Sequence, residues 1–146
     1  MEIRLKQMLG NLAVIIMLSF FTTGVVLAEV AIIANKGITV DSITPKEAKK
    51  IWLGKKKSMP GGGTIKLADL PVGNTARKDF YSSIVKKKEK QLKAYWAKIT
   101  FTGKGYPPQV FDDEAAVVEW VASTPGAMGY VSSNSATDSV KVLLKK

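Results

Sequence analysis

The chain has neither cysteine nor histidine among its 146 residues. Without thiolate or imidazole, most nucleophilic and general-base hydrolase mechanisms are closed to it, and so is an ordinary zinc site. We therefore expect a protein that is not an enzyme, with no catalytic residue, no metal and no cofactor. The lack of cysteine also excludes a disulfide scaffold, so an exported fold has to rest on its apolar core. Acidic residues are few, 12 against 22 lysines and arginines, a net charge of +10. Such an excess speeds encounter with any anion, whether a small oxyanion, nucleic acid or a membrane surface, and by itself specifies none.

Long hydrophobic runs are scarce too. Leu12 to Phe21 is the longest candidate, and it is short for a bilayer span of about 20 residues. With Arg4 and Lys6 before it and Val26-Leu27-Ala28 after it, the segment Met1 to Ala28 reads as a secretory signal peptide cleaved after Ala28. Removing those 28 residues leaves 118, and losing Arg4, Lys6 and Glu2 lowers the net charge to +9. That length suits one domain, residues 29–146, with a single core. The expected location is periplasmic or secreted, and the mature chain is not expected to span a membrane.

What is present alternates between two periodicities. VAIIA at Val30–Ala34 reads as a buried strand. Thr44-Pro45-Lys46-Glu47 is a capping box with proline at the first helical position; Ala48, Ile51 and Trp52 follow at helical spacing and Gly54 ends the helix. KKKSMPGGG (Lys55–Gly63) is a basic turn, and TIKLA (Thr64–Ala68) a second strand. Gly73-Asn74-Thr75 opens a helix with Ala76, Phe80 and Ile84 inward. A further helix is expected over Glu89–Ile99 with Leu92, Tyr95, Trp96 and Ile99 on one face. FTGKGYPP (Phe101–Pro108) is an irregular crossing, and Asp112 caps a last helix carrying Ala116, Val117, Trp120 and Val121. Strands at Ala127–Val131 and Val140–Leu144 complete an α/β layer with a mostly buried sheet. Trp52, Trp96 and Trp120 all read as core residues.

Two stretches carry candidate chemistry. In Gly73-Asn74-Thr75-Ala76-Arg77, unpaired N–H groups and the helix dipole suit an anion, the glycine permits close approach, and Arg77 offers a bidentate fork. The same residues also read as a plain helix cap. Lys55-Lys56-Lys57 and Lys86-Lys87-Lys88, with Lys90 and Lys93, read either as a solvated face or as a polyanion-binding one. No aromatic residues interleave with them as an RNA-stacking platform requires, so nucleic acid is not an expected partner.

Taken in order, VAIIANKGITVDSITPKEAKKIWLGK, ARKDF, FTGKG and TPGAMGYV resemble the signature elements of phosphate ABC-transporter substrate-binding proteins over roughly Val30 to Leu144. That resemblance implies a type 2 periplasmic-binding-protein fold, of which this chain is similar to about one lobe, a mixed sheet flanked by helices. It implies phosphate or a similar oxyanion as ligand. It also sets Gly73, Asn74, Thr75 and Ala76 at the glycine, serine, glycine and threonine of the family's anion loop, with Arg77 just beyond. The arginine preceding that loop would fall near Leu70 or Leu67, neither of which pairs with phosphate, and the first-lobe ligands have no counterpart. Two functions follow as expectations. One is a weak oxyanion-binding module, alone or completed by a second subunit in a homodimer. The other is a ligand-free accessory module whose basic surface meets an acidic protein partner.

Overall fold

The computed structural model describes residues 29–61 and 63–146. The signal peptide read at residues 1–28 lies outside the described residues.

Strand β1 (Val30–Ala34) is buried at all five positions. It pairs antiparallel with β4 (Ala127–Ser132), Ile32 opposite Tyr130, and with β5 (Lys141–Lys145), Ile32 opposite Leu144. A strand enclosed by neighbours and by helices above and below has no solvent face, which is why its sequence is continuously apolar rather than alternating. On the other side β4 runs parallel to β2 (Lys66–Asp69), and β2 parallel to the two-residue edge strand β3 (Gln109–Val110). The sheet order is β3-β2-β4-β1-β5. The chain is thus an α/β fold with a mixed five-stranded sheet.

Helix α1 (Pro45–Trp52) starts as its capping box dictates. The Thr44 and Glu47 side chains cap each other's backbone, and Ala48, Ile51 and Trp52 are buried. Trp52 donates from Nε1 to the Ala68 carbonyl at 3.3 Å, tying this helix to β2. Helix α2 (Thr75–Phe80) buries Ala76, Arg77 and Phe80, then widens into a π-helical turn at Tyr81–Val85. Phe80 stacks face to face on Tyr130 at 3.9 Å, and the Trp52 ring meets Phe80 edge-on at 5.0 Å. Each such ring contributes about 1.5 to 3 kcal/mol by burial, so this cluster is a large part of what holds α1 and α2 on the sheet.

Helix α3 (Glu89–Phe101) buries Leu92 and Trp96 and runs two residues beyond the expected Ile99. Helix α4 (Glu114–Ser123) is capped by Asp113, whose Oδ1 accepts the Ala116 N–H at 2.8 Å, so the cap lies one residue after the expected Asp112. Gly129 explains how closely α4 sits on the sheet, because a Cβ there would come within 2.6 Å of Val117 Cγ1. Trp120 departs from expectation. It is only half-buried and packs on Phe111 at 4.9 Å, while Trp52 and Trp96 are core residues as expected. Strand β2 begins at Lys66 rather than Thr64, which instead bridges to Ser58 in the preceding turn.

Candidate functional site

The C-terminal end of β2 delivers an acid into the interior. Asp69 is buried, and its carboxylate collects donors from every side. The Leu70 N–H reaches Oδ1 at 2.8 Å, the Tyr130 hydroxyl also donates to Oδ1, and the Tyr81 hydroxyl donates to Oδ2 at 2.7 Å. Arg77 Nη1 stands 3.0 Å from the same Oδ2. A buried carboxylate is tolerated only when its lone pairs are satisfied in this way. Burial raises the Asp69 pKa above its ordinary value, although both hydroxyls and the Arg77 charge pull against it. Burial, and then the nearby Asp69 charge, push both tyrosine hydroxyls up, which keeps them protonated donors.

Arg77, only 7% exposed, is turned inward from the first turn of α2. Its Nε donates to Glu89 Oε1 at 2.6 Å and its Nη2 to Oε2 at 2.9 Å. Nη1 donates to the Leu70 carbonyl at 2.8 Å, and the guanidinium carbon lies 4.9 Å above the Tyr81 ring. Burial works against the charge, but the Glu89 hydrogen bonds and the Asp69 charge outweigh it and raise the Arg77 pKa. The fork that Arg77 offers to an anion in the sequence reading is occupied here by Glu89 of the same chain. One guanidinium faces two carboxylates, so no net positive charge remains at this point.

The other residues of the candidate loop lie as follows. Gly73 is exposed with φ +92°, and no atom lies within 4 Å of the place where a Cβ would stand. Asn74 is the N-cap, its Oδ1 accepting the Arg77 N–H at 3.1 Å. Thr75 is exposed and Ala76 is buried. The first-turn N–H groups of Thr75 and Ala76 have no partner among the described residues. The cap reading and the open helix start therefore coexist, because Asn74 satisfies one amide and leaves others free.

Sequence reading missed four members of this cluster: Asp69, Tyr81, Glu89 and Tyr130. The available signal was slight. Asp69 is a lone acid closing the apolar stretch TIKLAD, and Glu89 a lone acid in a lysine run. Neither spacing announces that α2 and α3 will bring Glu89 onto Arg77.

Two depressions flank the cluster. One, of about 650 Å³, is lined by Gly73, Lys78, Tyr81, Ser82 and Lys86–Gln91 without Lys90. The other, about 800 Å³, is mostly apolar and includes Pro71, Val72, Trp96, Pro108 and Val110. Trp96 Nε1 is buried without a hydrogen-bond partner among the described residues. Also among them, no three acidic side chains cluster in metal-binding range, and no helix is long and apolar enough to cross a membrane.

No protein-family model matches the chain, and no curated protein matches it either. Solved structures do. An ABC-type phosphate transport receptor from Vibrio cholerae superposes with a TM-score of 0.64 at 18% identity, over 80% of this chain and 46% of that one. A putative phosphate ABC transporter substrate-binding protein with bound phosphate from Clostridium perfringens gives 0.64 at 24% identity, over 80% and 45%. PstS from Borrelia burgdorferi gives 0.60 at 15%, over 80% and 47%. At these identities the likeness shows the fold. The chain spans less than half the length of the structures it matches, in agreement with the single lobe expected from the sequence.

Proposed function

We propose that this chain is a small exported module that holds phosphate or a similar oxyanion weakly at the start of α2, Gly73–Arg77. The observation that carries this reading is the open helix start. Gly73 sits in a left-handed conformation with open space where a Cβ would stand, beside the unpartnered N–H groups of Thr75 and Ala76. Backbone donors at a helix N-terminus suit an oxyanion, and the Thr75 hydroxyl and Asn74 amide stand on the same turn. The likeness to phosphate receptors, one of them with phosphate bound, supports the choice of ligand. Arg77 serves this site from beneath, as the brace that fixes the helix start, because its guanidinium is engaged by Asp69 and Glu89. Without a free charged clamp the affinity is low, on the order of millimolar, or about −4 kcal/mol. Melting the protein in rising phosphate tests the reading. A bound anion raises the transition by mass action, and chloride at equal ionic strength does not.

A second reading is favoured by exposed apolar side chains. Phe101 is 93% exposed, Tyr106 79%, Val72 72% and Val110 57%. Val72 and Val110 share the apolar groove beside the candidate site. A second copy of the chain or another protein seated there would supply a missing half, or make the module an accessory one without a ligand. Light scattering over a concentration series separates monomer from dimer.

A further inference from the structure

The Lys86–Lys88 run has more form than a solvated charge face. Lys86 takes φ 60°, the one positive value for a non-glycine among the described residues. A lysine side chain is strained in the left-handed region, so the conformation is held by the hydrogen bonds that close the preceding turn. Those constraints are visible. The π-helical turn Tyr81–Val85 ends at Lys86, the Lys86 N–H donates to the Tyr81 carbonyl, and so does the Lys87 N–H at 3.2 Å. The Lys88 N–H is held by Gln91 Oε1 at 3.1 Å. The backbone of three consecutive lysines is thereby fixed around a bend, and all three line the 650 Å³ groove together with Lys78 of α2.

The charge of this groove is uncompensated. Among the described residues no carboxylate lies within 4 Å of Lys78, Lys86, Lys87 or Lys88, whereas Lys56 and Lys141 do find acidic partners. The acid that lines the groove, Glu89, is already consumed by the two-pronged Arg77 contact. Lys87 is drawn over the Tyr95 ring, 5.6 Å from its centroid, which leaves Lys78, Lys86 and Lys88 as the free cations. Several lysines lining one concavity, with the neighbouring counter-charge diverted, favour an anion with several charges close together. A single phosphate satisfies one or two such groups; linked phosphates satisfy them together.

We infer that this groove, which adjoins the α2 start and shares Gly73 with it, is a second anion site that takes a cluster of phosphate charges. Two sources share this chemistry, a soluble condensed phosphate and the phosphate headgroups of an anionic lipid surface. The inference does not rest on inorganic phosphate binding at Gly73–Arg77, and the two fail independently.

The test titrates the protein in two arms, with inorganic tripolyphosphate in one and vesicles of phosphatidylcholine with or without one-third phosphatidic acid in the other. Each arm is run with wild type, the double variant Lys86→Gln/Lys88→Gln, and a control that neutralises the other run, Lys55→Gln/Lys56→Gln/Lys57→Gln. Circular dichroism and melting confirm that all three are folded. Binding in either arm that weakens tenfold or more in the double variant, and less than threefold in the control, supports the site, and the arm that binds identifies the source. Absence of binding in both arms overturns the inference. So does an equal loss in the control, which would mean that net charge alone attracts the ligand. Retained affinity for inorganic phosphate in the double variant is expected throughout.

Discussion

Arg77 and Glu89, twelve residues apart, meet in a two-pronged contact, Nε to Oε1 at 2.6 Å and Nη2 to Oε2 at 2.9 Å. The contact joins the first turn of α2 to the first turn of α3 across the lysine bend. Because the guanidinium also reaches Asp69 and the Leu70 carbonyl, one side chain ties two helices to the end of β2. Removing it leaves a buried carboxylate short of a partner, which costs about 3 to 5 kcal/mol in comparable cases. Arg77→Ala is therefore expected to lower unfolding stability by roughly that amount in urea. Adding Asp69→Asn is expected to recover part of it. A loss below 1 kcal/mol would mean the guanidinium is not anchored as described.

Glu89 gives this contact a pH dependence. The Arg77 hydrogen bonds hold its pKa below the ordinary 4.5, although partial burial opposes them. A depressed folded-state pKa contributes stability that is present above the unfolded value and lost as pH falls through the folded one. Asp69 acts with the opposite sign, since burial raises its pKa above the ordinary 3.8 and protonation favours the folded state. Glu89→Gln is thus expected to be less stable than wild type at pH 6, with the gap closing as pH falls below the ordinary 4.5 and through the lowered folded-state value. Since half-exposed charges are screened, the gap also shrinks in salt. A gap unchanged as pH falls well below 4.5 would contradict the assignment.

The Tyr130 hydroxyl serves Asp69 and also accepts the Leu70 N–H at 3.2 Å. Tyr130→Phe keeps the ring stacked on Phe80 and deletes that hydroxyl alone. The expected cost is about 1 to 3 kcal/mol, that of leaving buried polar groups unpaired. Denaturant unfolding measures it.

Gly129 and Gly73 are glycines for different reasons. An added methyl at Gly129 meets Val117 and Val121, while one at Gly73 meets nothing but is strained by φ +92°. Gly129→Ala is expected to cost about 1 to 3 kcal/mol through overpacking of α4. Gly73→Ala should cost about 1 to 2 kcal/mol through backbone strain alone. Crystal structures of the two variants would show α4 displaced in the first and unmoved in the second.

Much of the fold was legible because its signals are local. The capping box at Thr44 and Glu47, the apolar run Val30–Ala34 and the helical stripe Ala76, Phe80, Ile84 each act within a few residues. The two-residue edge strand at Gln109–Val110 was not legible, since its pairing with Ala68 and Asp69 depends on the rest of the sheet. Trp120 was misjudged because helical spacing gives a face and not how deeply that face is covered. At the candidate site the sequence marked the glycine-led helix start and Arg77, but not what Arg77 grips. The fork's partner lies in the next helix, and no spacing rule spans that turn.

Thr75→Pro probes the helix start most directly. Proline is well suited to the first helical position, and Asn74 already has the extended backbone, φ −67° and ψ 134°, that a following proline requires. The substitution removes one free N–H and the hydroxyl together, with an expected stability change within about 0.5 kcal/mol. Calorimetric titration of residues 29–146 with inorganic phosphate at low ionic strength, wild type beside Thr75→Pro, is the decisive measurement. Saturable heat in the wild type that falls at least tenfold in affinity in the variant is the predicted result. Flat traces from both proteins, or equal binding by both, would contradict oxyanion binding at Gly73–Arg77.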